Sequence, residues 1–297
     1  MTLNRNDAPV TANAPSDANA GRNLSRRVAS ACVLAPVGLL TAYIGGSLFV
    51  AVCAIGAAIV LWEWTTLVLR SADPRILTPG AIALLTATLL GGEREVGAAF
   101  GVIATGALLA AGVMAALPRR YPASDPAIWA AGGVIYAGVG LLSPVLLSGD
   151  TKLGFAALLF LFAIVWTTDI VAYLTGRTIG GPLLWPDVSP NKTWSGAIGG
   201  LAGGVAAGTL VAYASAGTNP AVAAIVALVL SVAAQAGDQF ESAVKRRFGV
   251  KDASSLIPGH GGVMDRIDGF LFAALAALLI GMVRAGTAAP AQGLLVW

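Results

Sequence analysis

Four side chains with complementary chemistry follow one another at helical spacing in the segment QAGDQFESAVKRRFGVK. Asp238, Glu241, Ser242 and Lys245 stand at positions i, i+3, i+4 and i+7. A helix that continues through this segment would present all four on one face. Two carboxylates beside a hydroxyl and an ammonium group suit a metal ion with a phosphate next to it. The alternative interpretation is a solvated helix end with ordinary salt bridges.

A second polar segment, LIPGHGGVMDRIDG, follows closely. Its glycines, Gly261 and Gly262 among them, leave backbone N–H groups that can approach an anion, and His260 lies between them. Asp265 and Asp268 are three residues apart, so they share a face at the start of the next predicted helix, where the helix dipole favours carboxylates. A lone loop histidine is usually a surface residue, but this setting favours a functional role.

A third segment, residues 166–200, contains an acidic residue inside an apolar run and a polar loop after it. Asp169 lies roughly six residues, or about 9 Å, from the inner end of its span. An ionisable group at that depth is expensive, which indicates function, although a buried hydrogen-bonding staple between helices is the alternative. Ser189, Lys192 and Thr193 then stand in a proline-kinked loop before a helix, where hydroxyls and an ammonium can bind phosphate.

Other residues favour simpler interpretations. Glu63 lies between Trp62 and Trp64, which suggests the aromatic belt of a membrane interface, so we expect an interfacial role for it rather than a catalytic one. Cys32 and Cys53 stand in apolar runs and form no metal or disulfide pattern. The chain has no G-x-x-x-x-G-K-[ST], G-x-G-x-x-G or H-E-x-x-H motif, which argues against a soluble nucleotide-binding fold and a zinc protease.

The composition predicts the elements that position these residues. Of 297 residues, 57% are hydrophobic and only 11% are charged, whereas soluble domains carry roughly 25% charged residues. Apolar runs long enough to cross a bilayer recur along the chain, so we predict an all-α, polytopic integral membrane protein. About nine spans are expected, at 28–45, 47–69, 77–92, 97–117, 128–148, 153–175, 196–216, 220–236 and 268–285. The glycines and alanines from Gly196 onward predict close helix packing.

The distribution of basic residues predicts the orientation. With the N-terminus in the cytoplasm and the C-terminus outside, fifteen of the eighteen Lys and Arg fall in cytoplasmic segments, which agrees with the positive-inside rule. The long polar loops 176–195 and 237–267 then share the cytoplasmic side. We expect a disordered tail over 1–23, a single transmembrane catalytic domain over 24–285 and a short C-terminal tail over 286–297.

The motifs resemble a known family. The segment from Ser242 to Asp268 is similar to the signature of the phosphatidate cytidylyltransferases, or CDP-diacylglycerol synthases. The fixed positions of that signature are Ser242, Lys245, Arg246, Lys251, Asp252, Pro258, His260, Gly261, Gly262, Asp265, Arg266 and Asp268. The family motifs around Asp169, Ser189–Trp194, Gly237–Ser242 and the LWEW stretch also have counterparts, so the resemblance covers about residues 24 to 285. Small departures, such as Gln239 where leucine is common, affect no proposed ligand.

The resemblance implies a reaction and its requirements. CTP and phosphatidic acid would give CDP-diacylglycerol and pyrophosphate, with Mg²⁺ and a second metal ion in the site. It also implies a multi-pass homodimer in the bacterial cytoplasmic (inner) membrane, with the site facing the cytoplasm, and no nucleic-acid partner.

Site roles follow from the resemblance together with the residue types. The predicted catalytic residues are Asp169, Lys192, Asp238, His260, Asp265 and Arg266. The predicted substrate-binding residues are Ser189, Thr193, Ser242, Lys245, Arg246, Lys251, Asp252, Gly261 and Gly262. By the same analogy Asp238 and Asp265 are the metal ligands, with Asp169, Glu241 and Asp268 as further candidates.

Two rival functions are compatible with parts of the sequence. A CTP-dependent membrane kinase of polyprenols or phytol would also be multi-helical, but it would transfer the γ-phosphate and release CDP. A transporter or channel would suit the intramembrane Asp169 and the glycine-interrupted helices, yet no internal repeat is visible and the charge gathers at one surface.

Overall fold

The structure, a computed structural model, describes residues 35–117, 124–257 and 261–297. Within these residues the chain folds into ten helices and one short hairpin. The helices are α1 Ala35–Ile44, α2 Gly46–Leu69, α3 Pro74–Gly92, α4 Val96–Ala116, α5 Pro126–Ser148, α6 Gly154–Ile179, α7 Trp194–Ala216, α8 Pro220–Arg247, α9 Met264–Ala285 and α10 Pro290–Leu295. The antiparallel strands β1 Leu183–Trp185 and β2 Ser189–Thr193 connect α6 to α7.

Eight of these helices, α2 to α9, are long and apolar enough to cross a membrane. This confirms the predicted all-α polytopic class. The first expected span, 28–45, is described only from residue 35, where it forms α1.

Proline and capping residues set many of the helix boundaries. Pro74, Pro126 and Pro220 each occupy the first helical turn, where a missing N–H costs nothing. The side chain of Asn219 accepts a hydrogen bond from a backbone N–H in the first turn of α8. Gly217 ends α7 with φ of 64°, a left-handed conformation that glycine adopts without strain.

The helix ends near the polar loops differ from the expected spans. α8 continues to Arg247, eleven residues beyond the predicted end, and α9 begins at Met264, four residues earlier than predicted. The segment expected to be a proline-kinked loop before α7 is strand β2. Hydropathy identifies only the apolar part of a helix. It therefore cannot predict polar helix extensions or a polar hairpin.

A stripe of glycines brings α7 against α6, as the glycine-rich sequence predicted. Gly196, Gly200, Gly204 and Gly208 recur every fourth residue and are buried. A methyl group at Gly200 would come within 2.8 Å of the Thr168 carbonyl oxygen on α6. The two backbones can approach this closely only because the stripe has no side chains.

The polar connections gather at one end of the bundle, around the C-terminal end of α8. Arg70, after α2, donates to the carbonyl of Phe248. Arg247 contacts Ser124, before α5, and Arg246 donates to the carbonyl of Val188 in the hairpin. We call this end, formed by residues 70–73, 124–125, 180–193, 248–257 and 261–263, the site face. The orientation argument placed these same segments on one side of the membrane.

The opposite end of the bundle is closed by α10. Its residues Pro290, Ala291, Leu294 and Leu295 are buried. Gln292 donates to Asp150 in the α5–α6 connection at 2.9 Å. The C-terminal segment therefore ties α9 to the start of α6.

Candidate active site

A polar cavity of about 820 Å³ opens between α6, the hairpin, α8 and α9. Most residues predicted to do chemistry line it. They are Asp169, Ser189, Lys192, Thr193, Asp238, Lys245, Asp252, Asp265, Arg266 and Asp268. Segments far apart in the sequence thus converge on one space, with acidic and basic groups facing each other across it.

An ion pair crosses the cavity between the hairpin and α8. Lys192, on β2, contacts the carboxylate Oδ2 of Asp238. Both side chains remain about one-third exposed, so they are accessible from the cavity. Thr193, next to Lys192, caps the N-terminus of α7, because its Oγ1 accepts a hydrogen bond from the Gly196 N–H at 3.1 Å.

A second group of charges lies deeper, where α8 meets α9. The Nζ atom of Lys245 is 2.5 Å from Oε2 of Glu241 and 2.7 Å from Oδ1 of Asp265. The side chains of Glu241 and Asp265 are only 1% and 4% exposed, and that of Lys245 is 12% exposed. Burial of two carboxylates requires a compensating cation, and Lys245 supplies it. Glu241 and Lys245 therefore share one face of α8, as their spacing in the sequence predicted.

Asp265 also organises the loop before α9. Its Oδ2 accepts hydrogen bonds from the backbone N–H groups of Gly262 at 2.7 Å and Ala253 at 2.9 Å. Gly261 has φ of 84°, and a methyl group there would come within 2.6 Å of Asp265 Oδ2. The N–H of Gly262 is thus already used, and it folds the loop instead of pointing at a ligand.

Glu63 is buried and holds the same loop from the other side. Its side chain on α2 accepts hydrogen bonds from Ser254 Oγ at 2.6 Å, Val263 N at 2.9 Å and Met264 N at 2.6 Å. A methyl group at Gly262 would collide with the Glu63 carboxylate. The carboxylate caps the N-terminus of α9, where the helix dipole favours a negative charge.

The interfacial role predicted for Glu63 is therefore wrong. Glu63 is fully buried, and Trp64 beside it is 2% exposed and donates to the carbonyl of Trp129. Trp64 also stacks on Tyr136 with ring centroids 5.1 Å apart. A signal was present in the sequence, because a glutamate inside an apolar run must find buried donors if it does not reach water.

The other predicted residues that the structure describes do not line the cavity. Arg246 joins the hairpin to the end of α8, since it donates to the carbonyls of Val188 and Val250, both at 3.2 Å. Ser242 is half-buried and Lys251 is exposed. Gly261 and Gly262 shape the loop, and His260 lies outside the described residues.

The acidic side chains are suited to a divalent cation. The charges of Asp169, Asp238 and Asp268 act on one another, and a cation would relieve that repulsion. Within residues 35–117, 124–257 and 261–297, no three His, Cys, Asp or Glu side chains are grouped closely enough to hold an ion by themselves. Mg²⁺ commonly uses one or two carboxylates and completes its shell with substrate phosphates, so the arrangement fits such a site.

Comparison with known proteins agrees with this geometry. The Cytidylyltransferase family model matches residues 25–283. The chain belongs to this family. The cytidylyltransferase match covers every segment that lines the cavity, so the resemblance seen in the sequence motifs is confirmed.

Several relatives carry the same name, phosphatidate cytidylyltransferase. The protein of Brucella abortus biovar 1 (strain 9-941) is 43% identical over 265 residues, which is 89% of this chain and 95% of that protein. The Staphylococcus haemolyticus protein is 40% identical over 140 residues, 47% of this chain and 53% of that protein. The Staphylococcus aureus (strain COL) protein is 41% identical over 140 residues, with the same shares.

Proposed function

We propose that this membrane enzyme transfers CMP from CTP to phosphatidic acid, giving CDP-diacylglycerol and pyrophosphate. The observation that carries this proposal is the cavity in which acidic and basic side chains from α6, β2, α8 and α9 converge at one end of the bundle. The 43% identity to a phosphatidate cytidylyltransferase over 89% of the chain supports the same reaction.

The reaction requires the site to bring two anions together. A phosphate oxygen of phosphatidic acid attacks the α-phosphorus of CTP, and the bond from that phosphorus to the bridging oxygen of pyrophosphate breaks. The attacking oxygen is already anionic at neutral pH, so the site needs no strong base. Lys192 and Arg266 line the cavity and would offset the charge of the triphosphate and of the departing pyrophosphate.

Mg²⁺ is part of the proposal, with a second metal ion possible within the same acidic cluster. The residues that would hold it are Asp238 together with Asp169 or Asp268, because Asp265 already accepts hydrogen bonds from Lys245, Ala253 and Gly262. Bound there, the ion would neutralise phosphate charge and align the reacting oxygens. The role of Asp265 as a metal ligand stays a prediction.

The position of the cavity suits one lipid substrate and one soluble substrate. A diacyl lipid stays in the bilayer while CTP arrives from the aqueous side, so both meet only at the membrane surface. We place the site face in the cytoplasm of a bacterial cell, at the inner membrane, because the positive-inside rule favours that orientation. The family resemblance also suggests a homodimer, which chemical cross-linking of native membranes would test.

The decisive assay supplies CTP labelled in the α-phosphate, phosphatidic acid and Mg²⁺ to purified protein in detergent. We expect the label in a lipid and the release of pyrophosphate. Release of CDP with transfer of the γ-phosphate would instead favour a CTP-dependent lipid kinase. If the protein forms no lipid product and also catalyses no nucleotide exchange, the result would favour the transporter alternative.

The orientation has its own test. Cysteine at exposed Ser255, in a variant without native cysteines, should react with a membrane-impermeant maleimide only after the cells are permeabilised so that the reagent reaches the cytoplasm. Cysteine at exposed Glu93, at the other end of the bundle, should react in intact cells. The reverse pattern would place the site face outside.

A further inference from the structure

Arg177 is a cation on the wall of the polar cavity, in the last turn of α6, and its side chain is exposed. Within residues 35–117, 124–257 and 261–297, no carboxylate lies within ion-pair distance of its guanidinium, whereas Lys192 and Lys245 each contact at least one. The positive charge of Arg177 is therefore available to an anion that enters the cavity.

Tyr173 holds this guanidinium in place. Its hydroxyl, one turn earlier in α6, accepts a hydrogen bond from Nη1 of Arg177 at 2.8 Å. Side chains of a helix lean toward its N-terminus, and this bond keeps the guanidinium above the turn that follows Asp169. A neutral hydroxyl leaves the charge intact, and most N–H donors of the guanidinium remain for a ligand. Tyr173 thus positions the cation without neutralising it.

The same turns of α6 border the lipid. Ile170 and Leu174 are 60% and 51% exposed, and Tyr173 is 62% exposed. In a membrane such apolar side chains contact acyl chains, whereas tyrosine and arginine near the end of a span lie at the level of the lipid headgroups. Tyr173 and Arg177 also line the cavity, so they stand where the cavity meets the bilayer.

We propose that Arg177, positioned by Tyr173, binds the phosphate of phosphatidic acid, an inference that rests on the proposed function. This headgroup is an anion that presents acceptor oxygens, and they match the fork of N–H donors in arginine. Lys192 on the hairpin and Arg266 on α9 are then left for the triphosphate of CTP. The two anionic substrates would thus have separate cations.

The test replaces Arg177 with glutamine and with lysine, and it measures KM separately for each substrate in detergent micelles. Loss of a hydrogen bond to a charged group should raise KM for phosphatidic acid about tenfold or more in Arg177→Gln, while KM for CTP stays unchanged. Arg177→Lys keeps the charge and should recover part of the loss. Tyr173→Phe should raise the same KM by a smaller factor, about threefold. An equal rise in KM for CTP would overturn the proposal.

Arg247→Gln provides the matched control. Arg247 is also an exposed arginine, at the end of the bundle where the site face lies, but it does not line the cavity. Its replacement should leave both KM values unchanged. The same rise in KM for phosphatidic acid in Arg247→Gln would mean that basic residues attract the lipid without a defined site, and the proposal would be wrong.

Direct binding separates this inference from the proposed function. Equilibrium binding of a short-chain phosphatidic acid to purified protein, without CTP or Mg²⁺, should weaken about tenfold in Arg177→Gln. Diacylglycerol of the same chain length lacks the phosphate, so it should bind wild type and variant alike. If the wild type forms no CDP-diacylglycerol, the proposed function fails, yet this comparison still decides the role of Arg177. Equal binding of phosphatidic acid by both proteins would refute it.

Discussion

Replacing Glu63 with glutamine should release the loop that Asp265 and Glu63 hold together. Glutamine keeps the length of the side chain and one acceptor oxygen, but it turns an N–H donor toward the backbone N–H of Met264, now 2.6 Å from Oε2. The lost charge-assisted hydrogen bond is worth about 1.5–3 kcal/mol, and the stranded N–H costs about 1–3 kcal/mol more. The loop should therefore lose roughly 2.5–6 kcal/mol of local stability.

Hydrogen exchange measures this loss directly. A local loss of about 2.5 kcal/mol corresponds to roughly 60-fold less protection, so the amides of Val263 and Met264 should exchange at least that much faster. Transfer of CMP to lipid should fall as well, since the loop positions Asp265 against Lys245. Glu93→Gln, an exposed change at the other end of the bundle, should alter neither quantity. Wild-type protection and activity in Glu63→Gln would refute the argument that this carboxylate holds the loop.

Three further changes probe the site and the fold. Asp238→Asn should reduce turnover about 100-fold or more, because it removes a charge that faces the reacting phosphates. As a control, Asp187→Asn, in the exposed hairpin turn, should retain wild-type turnover. Gly262→Ala should cost at least about 1–3 kcal/mol in a denaturation assay, because its methyl group meets the Glu63 carboxylate; an unaltered midpoint would contradict this. Partial burial alone would raise the pKa of Asp150, but hydrogen bonds from two backbone amides and a glutamine lower that pKa below 3.8 overall. A carboxylate with a lowered pKa stabilises the fold above its unfolded pKa, so Asp150→Asn should lower the melting temperature at pH 7. The difference should close as the pH falls below 3.8 and through the lowered pKa of the folded state.

The sequence predicted the spanning helices well because bilayer thickness imposes a length that hydropathy can detect. α2, α4, α5 and α7 each lie within two residues of their predicted bounds. The ends of α8 and α9 were missed because their polar turns continue helically outside the apolar stretch. The hairpin was missed because two short strands of mixed polarity carry no periodic signal of their own.

The candidate site could be predicted only in part. Asp238, Glu241 and Lys245 were assigned to one helical face from spacing alone, and the structure places them there. Glu63 could not be placed, because its partners Ser254, Val263 and Met264 lie about 190–200 positions away and only tertiary packing brings them together. Local spacing reveals what one element presents, but it does not reveal which elements meet.

The glycine stripe of α7 has a mechanical consequence. With almost no side chain between their backbones, α6 and α7 pack as one unit, and this unit carries Asp169 as well as the hairpin that bears Lys192. Asp238 belongs to a different element, α8. The contact between Lys192 and Asp238 therefore joins that unit to α8 across the cavity.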